Sequence, residues 1–357
     1  MSDASPTLSR RYTTMLVAAL SLIALTCVAL LVPVPYVMMR PGPAYDTLGD
    51  FEGKPMFTFD KGVKVYPTDG NLDFTTVSVT RADRNVSLGD AIKAYFGSDN
   101  AVVPKSLIYP DAETAEQSTQ QGAAQLDSSK DSSRVAALRA AGFTVTGTPK
   151  IVNVAKDGAA AGKLKSGDLV TGIDGTKVDS AEALVKAVST HQPGDVVTVS
   201  IIRKGAAQDV DITTKAAPDN AKVPRIGVTL GTKYTYPFTI NNNVGRSIGG
   251  PSAGTMFALA IYDKLTPGSL TGGEKIAGTG EMAPDGTVGA IGGVRQKMAG
   301  AAHHDAKIFL VPAANCAEAA DGDDFGLTLV KITKLDDAID SLEALAKDPQ
   351  AKVPTCS

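Results

Sequence analysis

Hydrophobic positions form one long unbroken run near the start of the chain and short periodic segments after it. The run covers residues 13–34, where 22 consecutive residues carry no charged side chain. About 20 apolar residues at 1.5 Å each are enough for a helix to cross the hydrocarbon core of a bilayer. The pattern therefore predicts a transmembrane helix over residues 13–34.

The charges beside this run predict its orientation. Arg10 and Arg11 precede it, and cationic residues next to a first span tend to stay in the cytoplasm. We therefore expect residues 1–12 in the cytoplasm and the chain from Tyr36 onward outside it, in a single-pass protein of the cell membrane. The alternative is a cleaved signal peptide, but its apolar region is only about 7 to 15 residues long. Here the run continues through LLVPVPYV without a clean cleavage site, which favours an uncleaved anchor.

Residues 36–140 have the pattern of a mixed membrane-proximal region. Alternating apolar and polar residues in VYPTDG and FTTVSVTRAD indicate half-buried strands. In VSLGDAIKAYF a serine cap precedes apolar residues at helical spacing, namely Leu88, Ile92 and Tyr95 or Phe96. Residues 111–139 are rich in Ala, Gln, Ser and Asp and predict a polar helical connector that ends at a glycine.

Residues 141–217 predict strands separated by glycine turns, with one capped helix. In AGKLKSGDLVTGIDGTKV, AEALVKAV and PGDVVTVSIIRKG the order of these elements resembles a bacterial PDZ domain. The resemblance implies capture of an extended peptide as an added strand. Gly142, Phe143, Thr144 and Val145 are the candidate carboxylate-binding loop. The alternative is a structural module with a blocked groove, because a fold alone does not establish function.

After a linker at residues 218–224, a third domain is expected over residues 224–346. RIGVTLG, PFTI, KIAGTGEM, TVGAI and IFLVP predict strands, and helices are expected from Ser252 to Lys264, from Val294 and after Lys334. This order favours a layered α/β or α+β arrangement. The whole chain is therefore expected to be an α+β multidomain protein.

Two serines of this third domain compete as candidate nucleophiles. Ser247 lies in GRSIG, which fits the G-x-S-x-G elbow, but Gly249, Gly250 and Pro251 delay the helix that such an elbow needs. An esterase built on Ser247 would also need His303 or His304 as its base.

Ser252 fits a nucleophile better. It stands at the start of the predicted helix, near unpaired amide N–H groups that can bind an oxyanion. The alternative is an ordinary helix N-cap, since serine is favoured at that position.

The sequence around Lys297 bears on the choice between a nucleophile and an ordinary N-cap at Ser252. In GGVRQKMAGAAHH, Val294, Met298 and Ala301 form an apolar stripe that Lys297 interrupts, so Lys297 should be at least partly buried. Burial disfavours the ammonium form and lowers the pKa of the amine toward the range of a general base. The alternative is a lysine whose amine reaches solvent.

Four segments together resemble the proteolytic domain of Lon-type serine proteases: GGPSAG, GTGEM, DGTVGAIGGVRQK and KIFLVP. The resemblance implies Ser252 as nucleophile and Lys297 as general base. It implies Thr279 beside them, orienting the lysine, although a plain strand threonine is equally compatible. The backbone of Gly250 and Ala253 is the expected oxyanion site.

The chain also departs from the Lon pattern. Gly249 and Gly250 stand where an acidic residue usually precedes Gly-Pro-Ser, and the sequence has no G-x-x-x-x-G-K-[ST] loop, so no use of ATP is expected. One anchor, a PDZ domain and a Lon-like domain resemble bacterial membrane-anchored, ATP-independent Lon-like proteases. This implies a serine endopeptidase that acts on peptides or unfolded proteins outside the cytoplasm and assembles into a homo-oligomer such as a hexamer. The alternative is a non-catalytic, membrane-tethered PDZ scaffold.

Composition adds few constraints. The net charge of -3 and the lack of a dense Lys/Arg block argue against nucleic acid as a partner. No metal and no cofactor is implied. Of the three cysteines, Cys27 lies in the apolar run, and Cys316 and Cys356 are either a disulfide or two unrelated thiols.

Overall fold

A computed structural model describes residues 10–97, 99–110, 114–245 and 247–356. The chain divides into two compact units. The first combines the residues up to Ala141 with those from Ile240 onward, and the second, Gly142–Thr239, is inserted between these two parts. Residues 1–9 of the expected cytoplasmic N-terminus, and residues 111–113 of the expected connector, lie outside the described residues.

The part of the first unit that precedes the insertion begins with the apolar helix. Its elements are α1 Arg10–Leu31, β1 Pro33–Val34, β2 Tyr36–Asp46, β3 Asp50–Phe51, β4 Lys54–Pro55, β5 Phe57–Phe59, β6 Asn71–Val79, β7 Val86–Ser87, α2 Leu88–Tyr95, β8 Ala101–Pro104, α3 Lys105–Ile108 and α4 Ala115–Ala140. The predicted serine cap is present, because the Ser87 side chain accepts the Asp90 N–H.

The inserted unit is a β-rich domain with one helix. Its elements are β9 Thr146–Val154, β10 Leu169–Ile173, β11 Thr176–Lys177, α5 Ala181–Ser189, β12 Val196–Arg203, β13 Ala206–Thr213, β14 Lys215–Ala217, β15 Asn220–Arg225 and β16 Val228–Thr235. The sheet has the order β13-β12-β10-β9-β16, with β11 beside β10. Inward-facing aliphatic residues of these strands and of α5 form its core.

The first unit resumes after the insertion with the elements that surround Ser252 and Lys297. They are β17 Ile240–Asn242, α6 Gly254–Leu265, β18 Lys275–Gly278, β19 Glu281–Met282, β20 Val288–Gly289, α7 Val294–His303, β21 Ile308–Pro312, a short 3₁₀ helix Ala313–Asn315, α8 Cys316–Ala320, β22 Thr328–Ile332 and α9 Leu335–Lys347.

A six-stranded sheet organises the first unit, in the order β22-β21-β18-β6-β2-β8. Its first four strands are parallel, and β2 runs antiparallel to both of its neighbours. Helix α7 packs on one face of the sheet, whereas α6 packs on the other face, where Phe257 contacts Phe74. The helix that follows Ser252 and the helix that carries Lys297 therefore lie on opposite faces, and Ser252 is hydrogen-bonded to Thr279 and Gly280, the residues that follow β18.

The apolar helix starts and ends earlier than the predicted span of residues 13–34. It covers Arg10–Leu31 and is long and apolar enough to cross a membrane. It stops there because Val32 precedes Pro33, and a residue before proline is disfavoured in the helical region.

The structure also divides the chain differently from the expected domain boundaries. Residues 36–140 do not form a separate region, because β2, β6 and β8 belong to the same sheet as β18 and β21. The strand expected from RIGVTLG belongs to the inserted unit, where β16 pairs with β9 along its length. Residues 218–224 are therefore not a linker between domains but part of the β14–β15 hairpin. Pairing between strands distant in sequence decides these boundaries.

Cys316 and Cys356 form a disulfide with a Cα–Cα distance of 5.1 Å. The end of the chain lies along β22, since Lys331 N–H donates to Pro354 and Cys356 N–H donates to Leu329. The tail thus covers the outer edge of the six-stranded sheet.

Candidate active site

Ser252 lies in the loop that leads into α6. The helix begins at Gly254, two residues later than expected, and its N-cap is Ala253, which makes no side-chain capping bond. Ser252 is therefore not the N-cap, and that alternative is wrong. Its hydroxyl points instead to the amine of Lys297, with 3.0 Å between Oγ and Nζ.

Lys297 projects from the first turns of α7 and is only 4% exposed. Burial was expected from its place in the apolar stripe. Its Nζ also donates to the backbone carbonyl of Thr75 on β6, at 2.8 Å. Desolvation lowers the pKa of this amine from 10.5 to about 7. A neutral amine can donate to the Thr75 carbonyl and accept from the Ser252 hydroxyl at the same time.

Thr279 lies beside the pair but contacts the backbone of Ser252 rather than the lysine. Its Oγ1 donates to the carbonyl of Ser252 at 3.0 Å, and the N–H of Gly280 donates to the same oxygen at 2.9 Å. The backbone hydrogen bond of the Lys297 amine is made to the Thr75 carbonyl. Thr279 instead holds the peptide unit that follows Ser252, the candidate nucleophile.

Helix α4 holds the other side of the Ser252 loop. Ser129 Oγ donates to the carbonyl of Pro251 at 2.9 Å, and Ser133 Oγ donates to that of Gly254 at 2.8 Å. A Cβ on Gly254 would lie 2.8 Å from Ser129 Oγ, so only glycine allows this close approach. Sequence reasoning missed both serines. The available signal was the repeated DSSK and DSSR pattern, which puts them one helical turn apart.

The backbone donors near Ser252 differ in part from those expected. The N–H of Gly250 donates to the carbonyl of Gly122 at 2.9 Å and is not available to an oxyanion. Ala253 keeps its expected place at the N-terminus of α6. Because a peptide unit is planar and trans, fixing the Pro251 carbonyl toward α4 directs the Ser252 N–H away from that helix.

A cleft of about 520 Å³ opens beside Ser252 and Lys297. One wall comes from β2 and β6, the other comes from the Ser252 loop, and Gly292 and Lys297 complete the lining. Its lining residues are Met39, Pro43, Tyr45, Phe74, Thr75, Thr76, Val77, Ser78, Val79, Ser247, Ile248, Gly249, Gly250, Ser252, Ala253, Gly292 and Lys297. The wall from β2 and β6 belongs to residues 36–140, which the sequence predicted to be a separate membrane-proximal region.

The structure does not support an elbow at Ser247. This residue is exposed in a turn, and the helix starts well after it. Arg246, within the same motif, lies outside the described residues. The His304 ring accepts the N–H of Ala44 on β2, and His303 is exposed at the end of α7.

The inserted unit has a groove of its own, of about 560 Å³. It runs between α5 and the residues of β15 and β16, and it is lined by Asn153, Ala155, Leu184, Val185, Val188, Ser189, Val223, Pro224, Arg225, Ile226, Gly227, Val228, Thr229 and Leu230. Gly227 has a φ of 76°, and a Cβ there would lie 2.6 Å from the Cα of Gly158. The turn at Arg225–Val228 therefore requires glycine.

Gly142, Phe143, Thr144 and Val145 do not line this groove. Phe143 packs on Phe238 with 5.2 Å between ring centroids, and Val145 is buried. The expected carboxylate-binding loop thus lies outside this groove. The glycine-containing turn beside the groove is Arg225–Val228. Its sequence, RIGV, was expected in the third domain but belongs to the inserted unit.

Comparison with known families finds one match for the PDZ-like part of the chain and one for the Lon-like part. Residues 126–214 match the PDZ domain family, and residues 246–343 match the C-terminal proteolytic domain of Lon protease (S16). The chain carries a PDZ domain and a Lon-type proteolytic domain. The PDZ match begins within α4, although that helix belongs to the first unit and packs on its helix α6. Because the first unit contains the Lon match, it is called the protease unit below. The expected α+β fold class and both expected domain types are confirmed.

Similar proteins come from bacteria. A probable periplasmic serine endoprotease, DegP-like, from Halomonas elongata is 37% identical over 73 residues, which cover 20% of this chain and 15% of that protein. The serine protease Do-like HtrA of Lactobacillus helveticus is 39% identical over 66 residues, which cover 18% and 16%. The PDZ domain of the SdrC-like protein from Listeria monocytogenes is 29% identical, covering 23% of this chain and 85% of that domain, with a TM-score of 0.22. The chain thus spans less than a fifth of the length of these two curated relatives.

Proposed function

We propose that this protein is a membrane-anchored serine endopeptidase in which Ser252 is the nucleophile and Lys297 the general base. The observation that carries the proposal is the 3.0 Å contact between the Ser252 hydroxyl and a buried amine whose pKa is lowered to about 7. A hydroxyl needs an adjacent base to attack an amide at neutral pH. Near pH 7, about half of such an amine is neutral and able to act as that base.

In this mechanism, the neutral Lys297 amine takes the proton of Ser252 as Oγ forms a bond to the peptide carbonyl carbon. The developing oxyanion is stabilised by backbone N–H groups at the start of α6, with Ala253 as the candidate donor. The C–N bond then breaks, and the leaving amine receives the proton from Lys297. Water hydrolyses the resulting ester with Lys297 again as the base.

The PDZ groove is proposed to recruit extended segments of substrate proteins. Its apolar lining from α5 and its neighbouring strand β16 are compatible with a peptide that binds as an added strand. Helix α1 would anchor the chain, with both folded units outside the cytoplasm, and hydrolysis would need no ATP. Assembly into a homo-oligomer such as a hexamer is part of this proposal, and analytical ultracentrifugation in detergent tests it.

The central experiment measures hydrolysis of an unstructured fluorogenic peptide by the full chain in detergent, together with labelling by a fluorophosphonate. We expect Ser252→Ala and Lys297→Met to abolish hydrolysis. Ser247→Ala is the matched control, because Ser247 lines the same cleft but does not contact the amine. Full activity in Ser252→Ala, or loss only in Ser247→Ala, would contradict the assignment.

A second measurement separates the PDZ role from catalysis. Val185→Asp introduces a charge into the groove of the inserted unit at a side chain that is 60% exposed and lies outside the core, and it should weaken cleavage of long unfolded proteins while leaving short-peptide hydrolysis intact. A wild-type chain that binds peptides but hydrolyses none, in every oligomeric form, would instead favour the scaffold alternative.

A further inference from the structure

We propose that an exposed apolar surface around the exit of α1 inserts into the interface of the same bilayer and holds the protease unit against it. This exit patch consists of Tyr36, Ile92, Tyr95, Phe96, Leu107 and Ile108. The inference rests on the proposed anchoring by α1 and adds a second membrane contact, made by the folded unit itself.

The exit patch surrounds the end of α1 because two short helices are attached there. The N–H of Leu88, at the start of α2, donates to the carbonyl of Val32 at 2.9 Å. The strand β1 that follows α1 pairs with β7, directly before α2. The N–H of Lys105, at the start of α3, donates to the carbonyl of Pro35 at 3.0 Å. Both helices are therefore bonded to backbone within a few residues of Leu31.

The apolar side chains of these helices are uncovered. In α2 the residues that face inward are the small Ala91 and Ala94. The apolar stripe that the sequence would assign to a core instead faces outward, with Tyr95 73% exposed and Phe96 82% exposed. Leu107 on α3 is 74% exposed. Large apolar side chains that are exposed together, as in the ring contact of Tyr95 with Phe96, indicate a contact surface.

The bilayer is the occupant that the location favours. A helix that leaves the hydrocarbon core at Leu31 puts the next residues at the level of the lipid headgroups. Tyrosine and other amphipathic or aromatic side chains are enriched at that level. The exposed charges nearby are Arg81, Arg84 and Lys93 against Asp83 and Asp90, which nearly balance. We therefore expect apolar insertion to dominate and binding to occur without anionic lipid.

The composition of the chain allows a clean optical test. It has no tryptophan, so a single introduced tryptophan is the only one in the protein. The full chain carrying Phe96→Trp is reconstituted in phosphatidylcholine vesicles, with bromine atoms near the headgroup end of the acyl chains, and its emission is compared with that in unbrominated vesicles. Tyr12→Trp reports on insertion of α1 itself.

The matched negative control is Gln350→Trp. Gln350 is exposed in the C-terminal tail, which pairs with β22, whereas the exit patch adjoins β8 at the opposite edge of the sheet. We expect bromolipid to reduce the emission of Phe96→Trp about as strongly as that of Tyr12→Trp, and to leave Gln350→Trp unchanged.

The outcomes separate this proposal from the anchoring on which it rests. Quenching of Tyr12→Trp without quenching of Phe96→Trp would overturn the patch proposal and leave the anchor intact. Quenching of neither would overturn both. Quenching of Phe96→Trp alone would support membrane contact by the patch and reject α1 as the anchor. Blue-shifted emission of Phe96→Trp that bromolipid does not quench would point to a second copy of the chain on the patch, and would also overturn the proposal.

Discussion

The burial of Lys297 predicts a mutation that removes activity and stabilises the protein. In the folded state the pKa of the amine is about 7, whereas in the unfolded chain it returns to about 10.5. The unfolded state therefore binds more protons between these values, and the stability of the native protein rises with pH across that range. Below pH 7 the full cost of burying the ammonium is present, and above pH 10.5 that cost disappears.

The magnitude follows from the same two values. A difference of this size corresponds to about 5 kcal/mol. Lys297→Met keeps the approximate volume of the side chain and removes that cost, but it leaves the Thr75 carbonyl without the donor that it has at 2.8 Å. Leaving a buried acceptor unsatisfied costs about 1–3 kcal/mol. We therefore expect Lys297→Met to raise the free energy of unfolding by about 2–4 kcal/mol below pH 7 and to lower it by about 1–3 kcal/mol above pH 10.5.

The assay is denaturant unfolding of the full chain in detergent at several pH values from 6 to 10.5. The transition of the protease unit is followed for the wild type and for Lys297→Met. Lys307→Met is the control, because Lys307 is exposed. The free energy of unfolding of this variant should differ from that of the wild type by no more than about 0.5 kcal/mol at any pH. A difference between wild type and Lys297→Met that keeps the same sign and size across this range would refute the argument that the amine is buried and neutral.

Three further predictions concern the same unit. Peptide hydrolysis by the wild type should rise about tenfold per pH unit below pH 7 and level off above it, because only the neutral Lys297 amine acts as base; a flat pH–rate profile for kcat/KM would argue against that role. Ser129→Ala should lower kcat about tenfold with little change in KM, since it releases the Pro251 carbonyl, whereas Ser128→Ala on the exposed face of α4 should have no effect. Loss of the bond between Cys316 and Cys356, which are 40 residues apart, should lower the free energy of unfolding by about 4 kcal/mol; equal stability of the reduced and oxidised chains would contradict it.

The sequence alone identified the two domain types and the residues that carry the proposed chemistry. The unbroken apolar run predicted a spanning helix, because its length and lack of charge are local properties. Lys297 could be expected to be buried because it interrupts the apolar stripe of one helix. Ser252 and Lys297 could be paired because the Lon resemblance covers both. Their roles remain predictions that the proposed measurements address.

Only the tertiary structure decided which atoms surround Ser252 and Lys297, and where the domains begin and end. The Thr75 carbonyl comes from a strand 222 positions away from Lys297, and the serines of α4 reach the Ser252 loop across more than 120 positions. Such contacts depend on which strands pair and which helix faces meet, and no local pattern encodes that choice. The same reason explains why the predicted carboxylate-binding loop does not line the groove of the inserted unit, since β16 joins that sheet by pairing with β9, far from it in sequence. Residue types and periodicity thus determined the elements and the candidate chemistry, whereas long-range hydrogen bonding determined the site.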